Sequence, residues 1–137
     1  MRRVIPAILL TAAALIAAAH YARTATTHVQ RFGSIIGIKP DQISAYKALH
    51  AAPSPGVREL LEKYNIHNYS IYIQKLDDGK YYLFSYYEYT GTDFKGDMAK
   101  AQAEPINQKW WTHTGPMQIP LAGHHGWTTM EEVFHNP

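Results

Sequence analysis

The chain has 137 residues, no cysteine, and a composition that is 46% hydrophobic and 12% aromatic. This describes one globular domain and excludes wholesale disorder, disulfide frameworks, thiol nucleophiles and thiolate zinc sites. The formal charge of +2 comes from Arg2 and Arg3, and the rest of the chain balances at 11 basic against 11 acidic residues, so it lacks the electrostatic footprint of a nucleic-acid binder. Ten Tyr and three Trp point instead to a ligand recognised by stacking and hydroxyl hydrogen bonds.

Residues 1–19 open with Met1-Arg2-Arg3 and continue as an apolar run from Val4 to Ala19. This is the layout of a signal peptide, with cleavage expected near Ala19; the alternative is an uncleaved anchor, for which 16 residues fall slightly short of a bilayer span. Residues 20–28 read as a linker, and the domain is expected over 29–137. On this reading the protein is exported to the periplasm or the medium, and touches a membrane only through its N-terminus.

The domain alternates strand and helix signals. Phe32, Ser34, Ile36 and Ile38 alternate with Arg31, Gly33, Ile35 and Gly37 as in a strand. Pro40 then starts a helix with Ile43, Tyr46, Leu49 and His50 along one side. The chain bends at Pro53-Ser54-Pro55-Gly56. Ser54 is placed to cap a second helix, with Pro55 at its first position and Val57, Leu60, Leu61 and Tyr64 on one face. Asn65 ends this arm. Residues 67–76 and 80–89 are β-rich runs joined by Asp77-Asp78-Gly79, which is hairpin chemistry. Asp93 to Ala103 reads as a helix weakened by Gly96, and Pro105 starts another that carries Trp110 and Trp111. After a loop from Gly115 to Gly126, Trp127 to His135 reads as the last strand. The order β-α-β-β-α-β predicts an α+β, ferredoxin-like domain with both helical segments on one face of a four-stranded sheet. The other face, bare and aromatic, is expected to pair with a second copy.

Tyr46 and His50 stand four residues apart on one helix face. Two readings compete: Tyr46 packs and His50 caps the helix end, or His50 moves protons near neutral pH. Trp110 and Trp111 diverge by about 100° on a helix, so one indole is expected in the core and the other at a cavity rim, where indoles stack on sugar rings. Tyr69 could line the same cavity. His113 with His124-His125 lacks metal-ligand spacing, and no metal is expected.

Four ordered motifs now carry a resemblance. Tyr46-x-x-x-His50, the run His67-Asn68-Tyr69-Ser70-Ile71-Tyr72, Lys109-Trp110-Trp111 and Glu132-Val133-Phe134 near the C-terminus resemble the L-rhamnose mutarotase family over roughly residues 29–137. The resemblance implies a subunit that dimerises through its sheets into an α/β barrel. It also implies cofactor-free interconversion of the α and β anomers of L-rhamnose or a related 6-deoxyhexose, with His50 as the catalytic acid and Tyr46, Tyr69, Trp110 and Trp111 as substrate-binding residues. One departure is local: His50 is followed by Ala51-Ala52-Pro53-Ser54, where the family usually has N-P-x-W. The alternative is an exported, non-catalytic sugar-binding or assembly module on the same fold.

Overall fold

A computed structural model describes residues 29–51 and 56–136. In chain order the elements are β1 (Gln30–Ile38), a 3-10 turn (Pro40–Gln42), α1 (Ile43–Ala51), α2 (Val57–Lys63), β2 (Ile66–Lys75), β3 (Tyr81–Tyr89), α3 (Phe94–Ala103), α4 (Pro105–Thr114), a second 3-10 turn (Gly115–Met117), β4 (Gln118–Ile119) and β5 (Thr128–Met130). The antiparallel sheet runs β2-β3-β1, and both short strands pair with the outer edge of β1. This is the expected ferredoxin-like order, with one correction. The fourth strand is two fragments, because Pro120 and a left-handed Gly123 (φ 80°) interrupt it and proline cannot serve a continuous ladder. Pairing stops at Met130, and Val133 and Phe134 lie exposed beyond it.

Two glycines on β1 explain how both fragments reach one edge. A Cβ at Gly37 would lie 2.8 Å from the Ile119 carbonyl oxygen, and one at Gly33 would lie 3.1 Å from Met130 Cε. At Gly37 only a missing side chain lets β4 close over the strand, and at Gly33 it spares the Met130 tip a shift.

The helix-facing side of the sheet holds the core. Ile36, Ile38 and Leu83 pack with Tyr46 of α1, and Ile71, Ile73 and Trp127 close around them. A second cluster joins Leu60 of α2 and Tyr64 at its C-cap to Ala101 of α3, with Ile106 of α4 against it. The expected stripe on α2 therefore buries its middle and end. Its start is corrected: Gly56 (φ 106°) occupies the cap, its N–H donates to Glu59 Oε2 at 2.8 Å, and helix begins at Val57. Ser54 and Pro55 lie outside the described residues. Beyond α2, Asn65 takes a left-handed φ of 59°, a conformation asparagine tolerates and helix ends favour.

Within β2 the pairing shifts between His67 and Ser70, where Asn68 also has a left-handed φ of 51°. The bulge changes the phase of the strand. A regular strand from Ile66 would turn Ser70 and Tyr72 toward the helices; the extra residue turns Tyr69, Ile71 and Ile73 that way instead. Asn68 is also tied to the neighbouring strand, since its Nδ2 donates to Glu88 Oε2 at 2.6 Å.

The opposite face carries Ile35, Tyr72, Phe84, Tyr86 and Met130, with Tyr72 65% exposed. Among the described residues no helix is long and apolar enough to cross a membrane. Residues 1–28, on which the leader and linker readings fall, lie outside the described residues.

Candidate active site

The five residues singled out by sequence converge on one cavity of about 1110 Å³ between the sheet and the helices, and all five line it. α1 contributes Tyr46 and His50, the bulged part of β2 contributes Tyr69, and α4 contributes Trp110 and Trp111.

α1 ends at Ala51, one residue after His50, and the imidazole is held there by its own helix. Its Nδ1 lies 2.8 Å from the Tyr46 carbonyl oxygen. A carbonyl only accepts, so Nδ1 is the donor and carries the proton. This leaves Nε2 as the nitrogen able to exchange a proton with a ligand. The ring centroid is 4.2 Å from that of Tyr46 and meets Trp110 edge-on at 5.0 Å, so two rings from two helices set its orientation. Arg58 Nη2 donates to the His50 carbonyl at 3.4 Å, which ties α2 to the free end of α1. The capping and proton-transfer readings of His50 are thus compatible: one nitrogen serves the helix, and the other has no hydrogen-bond partner among the described residues.

Tyr46 belongs to both core and site. It is 6% exposed, and burial pushes its phenol up to about 12, partly offset by a hydrogen bond with the Gln118 side chain. Tyr69 is 43% exposed as a whole, yet desolvation around its hydroxyl, reinforced by Tyr46 and Tyr87, pushes its phenol well above the usual tyrosine range. Its ring meets Tyr87 edge-on at 5.6 Å. Both phenols stay protonated at neutral pH and serve as hydrogen-bonding groups.

The tryptophan pair departs from the expectation. Neither indole is part of the core; Trp110 is half-buried against His50, and Trp111 is 45% exposed at the rim. The core position expected for an indole is taken on this part of α4 by Thr114.

Several lining residues carry no recognisable sequence signal. Trp127 and His125 reach the cavity from the loop between β4 and β5, Gln118 from β4, and Arg58 from α2. Trp127 is legible as a strand residue, but the loop that aims it at the cavity is not. Among the described residues no three His, Cys, Asp or Glu side chains gather as a metal site.

A curled antiparallel sheet with helices on one face, and an oriented imidazole in an aromatic-walled cavity, define a ferredoxin-like α+β protein with a candidate active site. Comparison with known proteins defines it further. A family model described as L-rhamnose mutarotase matches residues 31–136. The chain is similar to an L-rhamnose mutarotase of Oceanobacillus iheyensis, at 32% identity over 78% of this chain and 98% of that one. It is also similar to one of Lactiplantibacillus plantarum, at 29% identity over 77% of this chain and 96% of that one. In structure it resembles the L-rhamnose mutarotase of Formosa agariphila, with a TM-score of 0.60 and 24% identity over 79% of this chain and 99% of that one; at that identity the likeness shows the fold. The chain belongs to the L-rhamnose mutarotase family, and it is accordingly an aldose mutarotase, a carbohydrate isomerase.

The same comparisons correct the expectation of export. The two relatives are matched over 98% and 96% of their own lengths, which leaves too little of either to hold a 19-residue leader. The match to the family begins at residue 31 and the relatives carry no counterpart of the apolar run, so the expectation of export is withdrawn.

Proposed function

We infer that this chain interconverts the α and β anomers of a 6-deoxyhexopyranose, with L-rhamnose the first substrate to test, by proton transfer at His50. The domain responsible spans residues 29–137. The observation that supports this reading is the meeting of His50, Tyr46, Tyr69, Trp110 and Trp111, far apart in sequence, around one cavity. Ring opening requires a proton on the ring oxygen and loss of another from the anomeric hydroxyl. Closure on the other face of the carbonyl reverses both. An imidazole whose Nδ1 is fixed can exchange the proton at Nε2, and such transfer typically contributes ~10²- to 10⁴-fold. The indoles and Tyr69 provide apolar walls for the ring's hydrophobic face and the deoxy methyl group.

The direct test is saturation-transfer NMR between the anomers of L-rhamnose, with L-fucose and D-glucose for comparison. Exchange well above buffer for L-rhamnose is expected. Binding with exchange no faster than buffer would leave a sugar-binding module instead.

The functional unit is a homodimer formed through the bare sheet face. Support comes from Tyr72, 65% exposed, Ile119, 47% exposed, and Met130, 39% exposed, on a face that no helix of the described residues covers. Light scattering at micromolar concentration should give twice the subunit mass, and Tyr72→Glu should shift it toward the monomer. A monomeric wild type would sink the barrel.

A further inference from the structure

Anomer exchange moves two protons, and His50 accounts for one of them. The second group must lie in the same cavity and exchange protons readily near neutral pH. The cavity has few candidates. Among the described residues no carboxylate lines it; the other titratable groups there are tyrosine phenols, the cations Lys47 and Arg58, and one further imidazole, His125. Phenols ordinarily titrate near pH 10, and lysine and arginine stay charged at neutral pH. Those of Tyr46 and Tyr69 are pushed higher still by burial. Imidazole is the side chain whose ordinary range suits the task.

His125 comes from the far side of the fold. It stands on the loop between β4 and β5, two residues before Trp127, which packs against the core and lines the same cavity. The turn before it is closed by the His124 N–H donating to the Leu121 carbonyl at 3.0 Å, and Gly123 takes the left-handed φ of 80° that this turn needs. The two imidazoles therefore reach the cavity from separate supports, one on a helix end and one on an anchored loop.

We propose that His125 is the second proton-transfer group of the mutarotase, acting on the anomeric hydroxyl while His50 acts on the ring oxygen. This rests on the mutarotase reading above. In opening, neutral His125 takes the proton of the anomeric hydroxyl, the carbonyl forms, the bond from C1 to the ring oxygen breaks, and its electron pair takes the proton of protonated His50. After rotation about C1–C2, the free hydroxyl attacks the opposite carbonyl face, His50 recovers its proton and His125 returns the other. Protons balance, and no further reactant is needed.

The test compares wild type, His50→Ala, His125→Ala and His124→Gln by anomer-exchange NMR on L-rhamnose, with sugar affinity and melting temperature measured in parallel. His125→Ala is expected to lose about 10²-fold in exchange, to bind L-rhamnose within about threefold of wild type on the same physical argument that it acts on protons, and to regain exchange when free imidazole is added, above the imidazole background. His124→Gln, whose side chain does not line the cavity, should match wild type. Exchange by His125→Ala within twofold of wild type overturns the proposal. So does a loss explained entirely by affinity with no imidazole rescue, which would make His125 a binding residue. If wild type and His125→Ala exchange alike while His50→Ala fails, the mutarotase reading stands and only the role of His125 falls. If wild type itself does not exchange anomers, both fall.

Discussion

His50→Ala should lose most of the anomer exchange, on the order of 10²- to 10⁴-fold, while sugar affinity and stability change little. The geometry separates these quantities. The imidazole is only half-buried, and its hydrogen bond runs to a carbonyl of its own helix, so its removal leaves no charge stranded and no large cavity. Of this side chain, only Nε2 bears on the rate. Tyr46→Phe is the matched control, since it keeps the ring that stacks on His50 and packs in the core while removing a hydroxyl that orients sugar or imidazole, and a partial loss is expected. Tyr46→Ala is the wrong variant to use, because at 6% exposure the ring belongs to the core. Equal exchange by His50→Ala and wild type would refute the mechanism.

Strand alternation made β1 to β3 legible, and Asp77-Asp78-Gly79 closes the hairpin as its composition suggests: Gly79 has φ 78°, and its N–H donates to the Leu76 carbonyl at 2.9 Å. Y-x-x-x-H was legible as one helix face because helical periodicity is local. What escaped the sequence depends on distant partners. β4 is two residues of ladder inside a stretch rich in Pro and Gly, stabilised only because Gly37 leaves room for Ile119. The run after Trp127 reads as one strand, yet it pairs with β1 only over Thr128–Met130. The bulge at Asn68 reads in sequence as an ordinary strand residue. His125 looked like half of a failed metal motif, and its place in the cavity follows from where the β4–β5 loop is anchored.

The architecture also sets where the chain is least tolerant. Ile36→Ala should destabilise the domain by about 2–5 kcal/mol through lost burial and an unfilled cavity, and for about 100 residues Tm falls by roughly 4–8 °C per kcal/mol. Ile36 is 1% exposed, faces Leu83 across the β1–β3 ladder and does not line the sugar cavity. Its neighbours cannot easily collapse inward, because strand pairing on both sides of β1 fixes the backbone around it. Thermal melts by circular dichroism should show the fall, while exchange per folded molecule well below the new Tm stays near wild type. A Tm shift of only a degree or two would mean that the sheet relaxes into the space. Full stability with lost exchange would move Ile36 from the core to the site. The expected pattern, stability lost and rate kept, is the reverse of that for His50→Ala, and the pair distinguishes what holds the sheet and α1 together from what the cavity between them does.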